Sequence, residues 1–178
     1  MVIESIPVSS FMTRNVITET EDQNIQAVCK IMNENSIGSV VILKRSDSNN
    51  PNRSNNNNKE IVGIITERDI VRIIALLQPS SLTVPIREFM SKPVITLSPN
   101  NSIKDAIQTM QLKNIRTLPV VENQDLQGII TEKDIFKAIM NNRALIPDLF
   151  SSNQSLMDRR DVFDQFSEYW FSDVLQRR

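Results

Sequence analysis

Eight residues, GIITERDI from Gly63 to Ile70, return almost letter for letter as GIITEKDI from Gly128 to Ile135. A duplicated stretch constrains the architecture more than any single motif, because two copies of one unit must fold alike and cover each other. In each copy an apolar pair (Ile64 and Ile65; Ile129 and Ile130) reads as a covered strand that ends at a Thr, with an Asp three positions later opening an apolar-periodic helix. Thr66-x-x-Asp69 and Thr131-x-x-Asp134 fit a capping box, in which hydroxyl and carboxylate satisfy backbone donors left over at a helix start. The same corner has a second use. Its free amides and positive dipole end attract a phosphate, and Arg68 and Lys133 in the first turn add charge-assisted donors. Asp69 and Asp134 are suited to accept hydrogen bonds from sugar hydroxyls. Together these features point to a nucleotide lying across the strand-to-helix corner.

The duplication runs well beyond the corner. SFMTRNVIT, Ser10 to Thr18, recurs 78 positions later as EFMSKPVIT, Glu88 to Thr96. Val16 to Thr18 and Val94 to Thr96 read as short strands, each followed by a polar loop of the kind that precedes a helix. Ile25, Val28, Cys29 and Met32 recur as Ile103, Ala106, Ile107 and Met110, an i, i+3, i+4, i+7 stripe that must face a core. Strands are expected at Val40 to Leu43 and Leu118 to Val121, with Pro119 marking an edge or a strand start. The helix after Asp69 should stop before Pro79, and the one after Asp134 near Asn141 or Asn142.

The copies diverge in one place, where Lys44 to Val62 fills 19 positions against the six from Glu122 to Gln127. The excess has no apolar residue to bury, so residues 46–58 read as a disordered insertion, with a docking or regulatory loop as the alternative. The chain thus divides into a first repeat over 1–77, a linker and second repeat over 78–142, and an extension over 143–178. The expected fold class is α/β (α+β): two β-α-β-β-α repeats packed about a pseudo-twofold, plus a C-terminal helical extension.

Composition narrows the function. The 178 residues are 40% hydrophobic and 23% charged, with a net charge of −1, which lacks the basic excess of a nucleic-acid binder. Histidine is absent, there is no Walker loop and there are only three glycines, so neither the usual general base nor a nucleophile pair can be assembled and catalysis is not expected. The single cysteine, Cys29, gives no disulfide framework or thiolate metal cluster and reads as a small core residue. The N-terminus carries Glu4 and Pro7 where a signal peptide would be basic and then apolar, and no apolar run reaches the roughly 20 residues that span a bilayer. A cytoplasmic location is the expectation.

The extension has no repeat partner. Within Asp161 to Gln176, Val162, Phe166, Trp170 and Val174 stand at i+4 steps and imply an amphipathic helix. Such a stripe packs against its own domain or a twin subunit, or docks on another protein. Asp161, Asp164, Glu168 and Asp173 make the polar side acidic, against a membrane-surface role.

Two copies opened by FMTRNVIT and FMSKPVIT and closed by GIITERDI and GIITEKDI resemble a tandem pair of CBS domains, the Bateman module, over roughly residues 8–142. The resemblance implies a cleft between the repeats with up to two sites for adenosine-containing ligands. Asp69 and Asp134 would hold ribose hydroxyls, with Thr66 and Thr131 beside ribose and phosphate. Thr18 and Thr96 match residues lining the adenine pocket. Ile37, Gly38 and Ser39 match its opposite wall in one copy, and Ile115, Arg116 and Thr117 do so in the other. Arg14, Arg68, Lys92, Arg116 and Lys133 match phosphate-reaching places, and their number favours AMP, ADP or ATP over S-adenosylmethionine. The implied role is a regulatory nucleotide sensor, non-catalytic, acting as a homodimer or on a regulated enzyme or transporter in trans. A ligand-free interaction scaffold with the same fold is the alternative.

Overall fold

The apolar stripes become the buried faces of two helices, α1 (Ile25–Asn35) and α3 (Ile103–Lys113), which carry Ile25, Val28 and Met32, then Ile103, Ala106 and Met110, into the interior. Each helix starts at a side-chain cap. Asn24 accepts from the Ala27 amide, and Ser102 and Asp105 form a reciprocal capping box. Each ends at a residue in the left-handed region, Ser36 (φ 52°) and Asn114 (φ 51°), whose own amide returns to the last turn. The computed structural model describes residues 5–44, 60–76 and 83–141. The expectations for the insertion at 46–58 and for the extension at 143–178 lie outside these. Among the described residues no helix is long and apolar enough to cross a membrane.

The strands are β1 (Thr18–Thr20), β2 (Ser39–Leu43) and β3 (Ile61–Thr66) in the first repeat, and β4 (Thr117–Glu122) and β5 (Asp125–Thr131) in the second. β3 runs directly into helix α2 (Glu67–Leu76), and β5 into α4 (Glu132–Asn141). β2 pairs parallel with β1 and antiparallel with β3, and β4 pairs antiparallel with β5. The second repeat closes its hairpin with Asn123 (φ 52°) and Gln124 (φ 71°), the two positive φ values of a type I′ turn.

The opening strands differ from the expectation in both copies. β1 starts at Thr18 rather than Val16, and Val94 to Thr96 form no strand: their copy is reduced to a single parallel bridge, Leu97 to Val120. Two prolines explain the loss. In the first repeat the ladder ends with the Glu21 amide donating to the Leu43 carbonyl at 3.1 Å. The equivalent of Glu21 is Pro99, which has no N–H. At the other end, the Thr18–Val41 pairing needs the Val41 amide, and its equivalent is Pro119. The Pro119 carbonyl accepts from Leu97 at 3.0 Å, so its missing N–H would face the same neighbour. Only Leu97, between these two gaps, is left to pair.

The opening segments are exchanged between repeats. Val8 and Met12 belong to the core of the second repeat, with Leu97, Ile103, Leu118, Val120 and Ile130. Ile86 and Met90, from the segment before the second repeat, complete the core of the first, with Ile25, Val28, Val40, Ile42 and Ile65. Backbone bonds tie each exchange symmetrically: Val8 to the Asn101 carbonyl (2.8 Å) and Ile86 to that of Gln23 (2.7 Å), Thr13 paired with Ile129 and Ser91 with Ile64. An Arg87–Asp22 ion pair adds to the second. Fully burying one such Val, Ile or Met contributes about 1.5–3 kcal/mol, so neither core is complete without the other repeat's opening segment. The exchange also explains two glycines. A Cβ on Gly63 would run into the Met90 side chain, and one on Gly128 would lie 2.7 Å from Met12 Sδ and 2.9 Å from the Thr13 carbonyl oxygen.

Candidate functional site

At both strand-to-helix corners the capping box is formed. The Asp69 carboxylate Oδ2 accepts from the Thr66 amide (2.9 Å) and hydroxyl (2.7 Å), while the Asp69 amide donates to Thr66 Oγ1 at 3.3 Å. Asp134 and Thr131 repeat this at 3.0, 2.7 and 3.3 Å. The first helical amides are also used, Glu67 donating to the Gly38 carbonyl and Glu132 to that of Arg116, both at 3.1 Å. Two donors of each first turn are therefore already satisfied within the protein, which leaves less of the helix end for a phosphate than the sequence alone implied.

The second carboxylate oxygens differ. Asp69 Oδ1 accepts from Arg72 Nη2 and from Ser91 Oγ, both at 3.1 Å, and the residue is 7% exposed. Ser91 reaches it because the exchanged segment pairs with β3 at Ile64. Asp134 is half-buried, and its Oδ1 has no partner among the described residues. The residues equivalent to Arg72 and Ser91 are Lys137 and Thr13. Both are exposed, and neither bonds Asp134.

Charge gathers where the two corners meet. Arg68 of the first repeat donates from Nη1 to the carbonyl of Asn114 in the second, a long 3.4 Å contact. Arg116 Nε lies 3.7 Å from Glu132 Oε2. Burial pushes the Glu132 carboxyl above its ordinary value, and the Arg116 and Arg68 guanidinium groups pull it back. In the first repeat Gly38 stands where Arg116 stands, and the Glu67 carboxylate lies over it, 3.4 Å from where a Cβ would be. The arrangement can hold a polar ligand by a carboxylate and by guanidinium groups, with Glu67 and Glu132 as competing anions.

The other expected residues fall on the walls around these corners. Ser39 and Thr117 open β2 and β4 and pair with Thr66 and Thr131. Ile37 and Ile115 pack on the cores of their own repeats, Thr18 opens β1, and Thr96 and Lys133 are exposed. The exchange reassigns two cations. Arg14 follows Thr13, which pairs with Ile129, so it neighbours the second repeat's corner, and its Nη2 donates to the Ser9 carbonyl at 3.4 Å. Lys92 follows Ser91 and neighbours the first. Sequence reasoning missed Glu67, Glu132, Arg72 and Ser91. The i, i+3 spacing of Asp69 and Arg72 was a usable signal, whereas Ser91 depended on the exchange. Cys29 packs against the first core as expected, with its thiol pKa raised by burial.

Residues 8–76 and 86–141 match the CBS domain family. The chain is 35% identical over 136 residues to an uncharacterised protein of Methanopyrus kandleri, covering 76% of this chain and 63% of that one. It is 31% identical over 133 residues to protein MJ1225 of Methanocaldococcus jannaschii, covering 75% and 42%. The chain therefore spans less than two thirds of the length of either relative. The structure of MJ1225, described as a candidate archaeal homologue of γ-AMPK, superposes with a TM-score of 0.62 at 25% identity over 76% of this chain and 48% of that one. The CBS domain pair of protein MJ0100, in complex with 5′-methylthioadenosine and S-adenosyl-L-methionine, gives a TM-score of 0.62 at 25% identity over 75% and 98%. With both repeats matched and the paired fold reproduced, the chain belongs to the CBS-domain family.

Proposed function

We propose that this chain is a non-catalytic, cytoplasmic regulatory module that holds AMP, ADP or ATP in the cleft between its repeats. It passes occupancy to a partner protein or to a second copy of itself. The observation that carries the reading is the pair of Thr-x-x-Asp corners on two repeats locked together by exchanged segments, with Arg68 of one contacting Asn114 of the other. A ligand bridging the corners would change how the repeats sit, and its binding free energy would be the signal. The adenosine-type ligands of the MJ0100 pair and the γ-AMPK likeness of MJ1225 support the ligand class. Arg68, Arg116 and Lys133 favour a phosphorylated member, because a cationic side chain gains more from a phosphate than from a neutral thioether or a positively charged sulfonium.

One observation favours a second reading, a ligand-free interaction scaffold: the Thr–Asp capping bonds of both corners form without a ligand. A thermal-shift series with AMP, ADP, ATP, S-adenosylmethionine and 5′-methylthioadenosine separates the two. A ligand at a hundred times its Kd adds about 2.7 kcal/mol to the folded state, or several degrees in Tm for a chain of this size. The sensor reading expects that shift with a phosphorylated nucleotide. No shift with any of the five leaves the scaffold.

A further inference from the structure

We infer that the two corners are not equivalent sites: Ser91 and Arg72 hold the first corner shut, and the one working ribose site of this chain is at Asp134. This rests on the nucleotide-sensing function proposed for the cleft and specifies where in it the sugar is held. An ionised carboxylate offers about four lone-pair sites. At Asp69 all four are taken, by the Thr66 amide and hydroxyl on Oδ2 and by Arg72 and Ser91 on Oδ1. A ribose presenting two neighbouring hydroxyls needs two acceptor sites, and Asp69 has none to give without breaking bonds to a group that is 7% exposed. Among the described residues Asp134 spends only Oδ2, on Thr131, which keeps Oδ1 for a ligand.

The lock has two parts of different origin. Arg72 is local, one helical turn past Asp69, and its planar fork addresses a carboxylate in a way that the ammonium of Lys137 does not. Ser91 is delivered by the segment that crosses from the second repeat, so the crossing that builds the first core also closes the first site.

The test is calorimetric titration with AMP and with ATP of five folded proteins, their folding checked by circular dichroism: wild type, Asp134→Asn, Asp69→Asn, the opened pair Ser91→Ala/Arg72→Ala, and the closed pair Thr13→Ser/Lys137→Arg. The expected results are one equivalent bound by wild type, affinity about tenfold or more weaker in Asp134→Asn, and a second equivalent in the opened pair. The closed pair rebuilds the lock beside Asp134 and weakens the single site even if the opened pair does not fold. Two equivalents in wild type, or one that survives Asp134→Asn and is abolished by Asp69→Asn, overturns the inference while leaving the sensor function standing. No binding by any of the five proteins overturns the sensor function and this inference with it.

Discussion

The two corners share all but one of their eight residues, and the Thr–Asp bonds agree to within 0.1 Å, yet among the described residues one carboxylate is saturated and the other half free. The shared part is local: a Thr and an Asp three apart at a helix start make the same cap wherever they occur. The differing part comes from outside the motif, from Arg72 a turn later, from Ser91 on the crossing segment, and from Gly38 against Arg116 beneath the first helical residue. A duplicated motif therefore duplicates a shape and need not duplicate a site.

The comparison breaks or sharpens most strongly at the carboxylates. Asp69→Asn presents an amide to Arg72 and Ser91 and should lower stability by about 1.5–3 kcal/mol, the worth of hydrogen bonds to a charged group. Asp134→Asn, with Thr131 the one bonded side chain among the described residues, should cost about 1 kcal/mol. Urea unfolding gives both, and equal losses would erase the distinction. Next come the glycines under the crossing segments. Gly128→Ala forces its methyl against the Thr13 carbonyl, which is fixed by the Ile129 amide at 2.9 Å, and should cost about 1–3 kcal/mol. At Gly63 the three atoms nearest an added methyl all belong to the Met90 side chain, whose Cγ and Sδ can turn aside where a backbone carbonyl cannot, so its loss should be the smaller. A larger loss at Gly63 would mean that the two crossings are not packed as described.

A smaller effect of opposite sign is expected in the truncated opening strand. Pro119→Val restores a donor toward Ile95, and gains about 0.5–1.5 kcal/mol if a proline is what stopped the ladder. A slowed amide exchange at position 119 would show the new bond. The smallest effect is electrostatic. Because the native pKa of Glu132 is raised, the folded state keeps its proton after the unfolded chain has released it near 4.5. Stability should fall as pH rises from there to the native value and then level off. Glu132→Gln should flatten that portion of the curve, and an unchanged slope would assign it to another group.

Much of this fold was legible in the sequence because the repeat gave two readings of every element. Where both copies carried the apolar stripe or the Thr-x-x-Asp cap, helix and corner fell where expected. The opening strands were misjudged by two residues in one copy and altogether in the other, although Pro99 and Pro119 were in view. Their effect depends on which side of β4 lacks a donor, and that is decided by pairing rather than by composition. The crossing was invisible for a similar reason. Phe11-Met12 and Phe89-Met90 announce burial but not beneath whose sheet, and the glycines at 63 and 128 acquire meaning only once methionines from the other repeat lie on them.

The crossing also sets an order of events during synthesis. A first repeat emerging from the ribosome lacks Ile86 and Met90, so its core stays open until the start of the second repeat is made. Its own Val8 and Met12, meanwhile, wait for partners as distant as Ile130. Chains usually fold domain by domain from the N-terminus, but here the earlier half cannot finish before the later half exists. The two halves should therefore mature in one late step, and a chain interrupted between them should leave both apolar interiors exposed to the cell's quality control.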